Sequence, residues 1–198
     1  GAKIVTGINL SDIREKSIWL DMIKERVKSM QPGEWLLGGR WDYTFENKGY
    51  PTRWELDAVA PNNPVALSDI DGHSMWINTM ALELSGIEAD SGVPMGGQIV
   101  LNKDGIPTGI LLEGAMELVW NEETYIRDSD KAREEVKQVI DYATSLGITS
   151  VHDMSSRIEL NKYKELADDQ KLNLRVFWGE HSKFSQEADS TNQDKLVY

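Results

Sequence analysis

Two helix-to-strand passages near the C-terminus constrain this chain more than any other feature. A helical run from Asp130 to Leu146 places Ala132, Val136, Val139, Ile140, Ala143 and Leu146 on one face, with Asp128 or Ser129 as its cap and Gly147 as its stop. Ile148-Thr149-Ser150-Val151 follows as a β-branched strand ending in His152-Asp153. A second helix from about Ile158 to Asp168 and a strand from Leu174 to Trp178 complete the pattern. Helix and strand alternating in this way predict parallel strands joined by crossover helices, because a tight turn cannot join parallel neighbours.

The preceding two thirds read as a mixed α+β region. Lys3 to Leu10 form a short extended lead-in, and Ser11 or Asp12 is placed to cap a helix that runs to Met30 and stops at Gln31-Pro32-Gly33. Trp35 to Gly39 is a short buried strand with Arg40-Trp41-Asp42 at its C-terminal end. Residues 43–53 form a loop, Trp54 to Val59 a short helix, and Val65 to Ser68 a second strand. Thr79 to Ser85 is helical and stops at Gly86. Gln98–Leu101 and Thr108–Leu111 form a hairpin around Asn102-Lys103-Asp104-Gly105, since Asp-Gly between apolar runs supplies the positive φ a hairpin turn needs. Leu112 to Trp120 returns to helical spacing, and 182–198 is a polar tail.

Composition excludes several functions. A formal charge of −12 disfavours nucleic acid or an anionic membrane as partner, since both select a basic surface. Without cysteine there is neither a disulfide framework nor thiolate chemistry. No apolar run spans a bilayer and no signal peptide opens the chain, which favours a cytoplasmic location. Seven tryptophans either pack the core or line a ligand wall, because an indole buries much area yet needs one partner for its N–H.

The stretch Asp71-Gly72-His73-Ser74-Met75-Trp76-Ile77-Asn78 carries the densest chemistry. It stands where the Val65 strand gives way to the Thr79 helix, the position at which α/β proteins place ligand-facing side chains. The plainer reading is a capped helix start with a core tryptophan. His73, His152 and His181 are the chain's imidazoles, all at or just past strand ends, yet no His-x-His or HExxH spacing joins them, so no metal is expected on this chain alone. Asp153 reads better as a helix cap than as a site carboxylate. Glu34, Asp42, Asp57, Asp71 and Glu113 are carboxylates that could pair for acid–base work or simply cap and solvate. Gly38-Gly39 and Gly96-Gly97 lack any phosphate-loop fingerprint and read as turns.

Several segments in fixed order resemble one family. They are Pro32 to Asp42, Leu56-Asp57 with Pro61 to Val65, Asp71 to Asn78 with Ala81-Leu82, Gly96 to Ile99, Asp104 to Glu113, and Gly147 to Asp153. The set resembles the metal-dependent amidohydrolase superfamily, in the branch that includes N-substituted formamide deformylase. The likeness covers about Leu10 to Trp178.

The resemblance implies an α/β fold: a partial (β/α)8 barrel of about two strands in 128–181, plus a mixed α+β insertion domain in 1–127. It implies a fragment, lying after the His-x-His of the first barrel strand and before the later metal ligands. The parent would then hold a divalent metal, zinc being expected, and hydrolyse amide-type C–N bonds of a small molecule through a metal-activated water. This chain would add pocket wall through Asp71, Gly72, His73 and Trp41, with His73 donating to substrate or oxyanion and with no complete catalytic set of its own. Arg40 stands where relatives often carry glycine. The two barrel strands are expected to pair with the insertion's sheet or with another copy of the chain, which would make it a homo-oligomer. The alternative is a free-standing, non-catalytic module that uses exposed tryptophans to bind a ligand or a partner.

Overall fold

A computed structural model describes residues 7–42, 49–119, 129–153 and 157–179. The chain divides into two compact units, one of Thr6–Arg127 and one of Asp128–Tyr198 with Gly1–Val5. Both mix helix with strand, and the fold is α/β.

The larger unit comprises β1 (Ile8–Asn9), α1 (Lys16–Val27), β2 (Leu36–Trp41), α2 (Arg53–Val59), β3 (Val65–Asp69), β4 (Ser74–Ile77), α3 (Thr79–Leu84), β5 (Gln98–Leu101), β6 (Pro107–Leu112) and a 3-10 helix at Glu113–Leu118. The strands form one six-stranded sheet in the order β1-β2-β3-β4-β6-β5. β1, β2 and β3 run parallel; β4 is antiparallel to β3, β6 to β4 and β5 to β6.

Both faces of the sheet are covered, so its central strands are apolar at consecutive positions rather than alternate ones. Val65 and Leu67 of β3, Trp76 of β4 and Ile110 of β6 point to one face, where Trp19 and Ile23 of α1 and Leu56 of α2 meet them. Ala66, Met75, Ile77 and Leu111 point to the other, against Ala81 and Leu82 of α3 and Ala115 of the 3-10 helix. Three indoles sit in the first layer. Trp41 packs against Trp19 at 6.4 Å and Trp76 at 6.1 Å between ring centroids. Each indole N–H reaches a backbone carbonyl: Trp19 donates to Ile13 (3.0 Å), Trp41 to Leu67 (2.8 Å) and Trp76 to Thr52 (2.9 Å). This settles the indole's demand for both burial and a partner.

Gly38 and Gly39 are the middle of β2, in keeping with the strand expected from Trp35 to Gly39 and not with a turn. A Cβ at Gly38 would stand 2.2 Å from the carbonyl oxygen of Ile8, and one at Gly39 would stand 2.1 Å from that of Ser68. The neighbouring strands approach too closely for any side chain. The strand then bulges at Arg40, whose φ is +64°, before pairing resumes at Trp41. Helix α1 also begins later than a Ser11–Asp12 cap would place it. Glu15 is its N-cap, while Asp12 takes a φ of +65° and the Ser11 N–H bonds the Asn9 side chain, so both residues belong to the turn after β1. The segment after Leu112 is the tighter 3-10 helix, and Trp120 lies outside the described residues.

The buried polar groups of the larger unit act as staples. Asn78 caps α3 by accepting from the Ala81 N–H (3.0 Å) and accepts also from Val65 N–H at the start of β3 (3.0 Å). Its amide donates to the carbonyls of Asn63 (2.8 Å) and Ala60 (3.3 Å). Asp57 on α2 accepts from the Thr79 N–H and hydroxyl at 2.9 and 2.6 Å.

The smaller unit contains α4 (Ser129–Ser145), β7 (Ser150–Asp153), α5 (Arg157–Asp168) and β8 (Arg175–Trp178). β7 and β8 pair in parallel, from Ser150 opposite Arg175 to Asp153 opposite Trp178, with α5 as the crossover the sequence predicts. They form a sheet of their own rather than joining the six-stranded one. Val136 and Ile140 of α4 pack with Leu166 and Leu174, while Leu146 at the end of the same expected face is exposed. Gly147 closes α4: its N–H reaches Thr144, and that of Ile148 reaches Ala143. Ser129 is the first residue of α4, while Asp128, His181 and the tail at 182–198 lie outside the described residues.

Candidate functional site

Strand direction gathers the chemistry. Since β6 opposes β4 and β4 opposes β3, β6 runs with β2 and β3, and the C-terminal ends of all three lie at one rim of the sheet. Arg40-Trp41-Asp42, Asp69 and Glu113 reach that rim on β2, β3 and the end of β6 respectively.

The Asp71–Asn78 stretch is not a loop between strand and helix. Ser74–Ile77 is the fully buried strand β4, and residues 70–73 are the tip of the antiparallel β3–β4 hairpin. Gly72 takes the positive φ (+81°) that the tip requires. The Asp69 carboxylate holds the hairpin from inside. One oxygen accepts from the N–H groups of Gly72 (2.9 Å) and Ser74 (3.1 Å), and the other from the Ser74 hydroxyl (2.6 Å). Burial pushes this carboxyl above the usual range; the Ser74 bonds pull it back, and Asp71 beside it adds to the rise. Asp71 is exposed and accepts from the His73 N–H at 2.9 Å. That bond, then Asp69, holds its carboxyl below the usual range.

His73 projects from the tip with 66% of its side chain exposed, beside Glu113 at 55%. Nδ1 lies 3.1 Å from each Glu113 carboxylate oxygen. The Glu113 N–H donates to the His73 carbonyl at 3.0 Å. The bond to Glu113 and its charge, followed by the charge of Asp71, raise the His73 pKa above 6.5. The rim therefore presents an imidazole that carboxylates bias toward its cationic form.

The structure brings Asp71, Gly72 and His73 together and adds Glu113, one of the carboxylates considered from sequence. It also adds Asp69, which the sequence reading missed, although a carboxylate preceding Asp71-Gly72 is a recurrent way to tie a tight turn. Trp41, expected as pocket wall, has a fully buried ring. It lies beneath the hairpin: its carbonyl accepts from the Ile70 N–H at 2.9 Å. Glu34 and Asp57 make local staples, to the Gln31 N–H and to Thr79. In the smaller unit His152 stacks on Phe177 with ring centroids 4.8 Å apart. Asp153 is a residue of β7, and its carboxylate accepts from the Tyr163 hydroxyl at 2.8 Å. It does not cap α5, which begins only at Arg157. Among the described residues no three His, Cys, Asp or Glu side chains lie together as a metal-ligand set. No helix among them is long and apolar enough to cross a membrane.

Comparison with known proteins identifies the family. The profile of the amidohydrolase family matches residues 1–196. N-substituted formamide deformylase from Arthrobacter pascens is 34% identical over 85% of this chain and 32% of that protein. Protein LONG AFTER FAR-RED 3 from Arabidopsis thaliana is 34% identical over 74% of this chain and 25% of that protein. The chain thus spans about a quarter to a third of the length of these relatives. A solved structure, an uncharacterized metal-dependent hydrolase from Pyrococcus horikoshii OT3, matches with a TM-score of 0.63 over 89% of this chain and 33% of that one, at 20% identity. That likeness is one of fold.

Proposed function

The chain belongs to the amidohydrolase family, and from that premise we propose that it is a segment of a metal-dependent hydrolase of amide-type C–N bonds, contributing substrate-facing wall. In this reading 1–127 is the insertion domain and 128–181 the piece of (β/α)8 barrel. N-substituted formamides are the substrate class suggested by the relative whose printed name states one. Asp71, Gly72 and His73 form the contact surface, and Trp41 supports it from beneath. The partner is a small molecule, not a nucleic acid or a membrane.

No three metal-ligating side chains lie together among the described residues, so in this reading the metal would be held by residues outside them. What this chain can supply is a hydrogen bond. A cationic His73 donates to the carbonyl oxygen of the substrate, which stabilises the charge that grows there when the carbonyl is attacked. Asp69 and Asp71 order the loop that carries the imidazole.

The observation that carries this reading is an exposed imidazole, fixed by carboxylates, on the rim of a chain of this family. The alternative of a tryptophan-lined binding module has less support, because Trp19, Trp41 and Trp76 are core and the exposed Trp54 carries the Arg53 guanidinium over its ring. The test is His73→Ala in an intact hydrolase that carries this segment, assayed on small N-substituted formamides. The expected loss in kcat/KM is about tenfold to a hundredfold, the worth of one charge-assisted hydrogen bond. An unchanged kcat/KM would remove His73 from the reaction.

A further inference from the structure

We propose that Glu113 is the positioning residue of this rim: it clamps His73 through main chain and side chain, so that Nδ1–H is committed to the protein and Nε2 is the nitrogen presented to substrate. The substrate clause rests on the reading of His73 given above.

The clamp has two jaws. The Glu113 N–H holds the His73 carbonyl at 3.0 Å, which fixes the backbone from which the imidazole springs. The carboxylate then takes Nδ1 with both oxygens at 3.1 Å. An ionised carboxylate can only accept, so Nδ1 must carry the proton. The two residues are 40 positions apart and belong to different hairpins, so the pairing is a product of the fold. Glu113 also takes a φ of +50°, a left-handed conformation that strains a residue with a side chain. Glycine would sit there without strain, and a glutamate there places its N–H and its carboxylate on the same histidine.

The consequence is chemical. With Nδ1–H committed, neutral His73 offers only a lone pair at Nε2. Nε2 becomes a donor only in the imidazolium. Glu113, Asp71 and Asp69, the charged groups acting on the ring, all favour that cation. Glu113 therefore decides both where Nε2 points and up to what pH it donates to a carbonyl oxygen.

Nitrogen NMR of the 198-residue chain tests this directly, since long-range proton–nitrogen correlations report which ring nitrogen is protonated. In the unsubstituted chain His73 should be Nδ1–H when neutral and titrate above its ordinary range. Glu113→Gln retains an acceptor oxygen but no charge, so the tautomer should persist while the titration moves to lower pH. Glu113→Gly, which relieves the positive φ, should lose both the tautomer preference and the shift while the backbone amide spectrum of the rest of the chain stays that of the parent. Unchanged tautomer and titration of His73 in the glycine variant would overturn the clamp. In a hydrolase that carries this segment, Glu113→Gln should lower kcat/KM by about tenfold at pH values between the two His73 pKa values, and much less below them. A loss equal at every pH would mean that Glu113 only maintains the fold. Should His73→Ala spare activity while the NMR signature holds, the clamp stands and the functional reading falls.

Discussion

Asn78 offers the sharpest test of how this fold is held. It is 1% exposed and uses its whole side chain: two N–H groups accepted, two carbonyls reached. Asn78→Ala removes all four bonds in a space that the substituted side chain cannot fill. The carbonyls of Ala60 and Asn63 each keep a second lone pair, so their penalty is small. The N–H groups of Val65 and Ala81 do not, and both residues are fully buried. Each stranded donor costs about 1–3 kcal/mol. Together they imply a loss of about 2–6 kcal/mol, a large part of a typical stability of about 5–15 kcal/mol. Urea unfolding followed by tryptophan fluorescence suits the measurement, because Trp19, Trp41 and Trp76 all report on this unit. Asn102→Ala is the control: Asn102 also accepts from two backbone N–H groups, those of Asp104 and Ile106, but in the open. Water replaces those bonds, so its loss should stay under about 1 kcal/mol. If Asn78→Ala costs no more than Asn102→Ala, the account of Asn78 as a buried staple is wrong.

Two further outcomes are expected. Gly39→Ala should destabilise by about 2 kcal/mol or more, since its Cβ would meet the Ser68 carbonyl at a φ of +120°, and backbone on both sides must move; an unfolding midpoint equal to that of the parent chain refutes the close approach. His73 links stability to pH. Its folded pKa lies above 6.5, so its contribution is complete below about pH 6.5 and is lost as pH rises through the folded value. The urea midpoint of Glu113→Gln should therefore fall short of the parent's at pH 6 and approach it at pH 9, and a gap that is constant across this range refutes the coupling.

Much of the architecture was legible because it rests on local pattern. The Asp104-Gly105 hairpin, the Gly147 stop after α4 and the β7–α5–β8 crossover all declare themselves within a few residues. The Asp71-Gly72 turn carried the same signal as Asp104-Gly105, but the following Ser74–Ile77 is buried on both faces and shows no alternation, so it passes for the approach to a helix. Gly38-Gly39 misled for the opposite reason: the need for glycine comes from strands β1 and β3, not from the local chain. Asp153 likewise finds Tyr163 across the crossover instead of capping the nearest helix. At the rim, His73 stands out by residue type. That Glu113 holds it follows from β4 and β6 being neighbours, which no spacing along the chain announces.

The two ends of the six-stranded sheet have divided their tasks. Asn63, Asn78 and the Asp57–Thr79 bonds lock the end where β3 starts and β4 finishes. The opposite end carries His73, Asp71 and Glu113 in open solvent. Side chains at one pole can then be exchanged while the fastening at the other stays untouched, which makes the open rim a practical place to graft new ones.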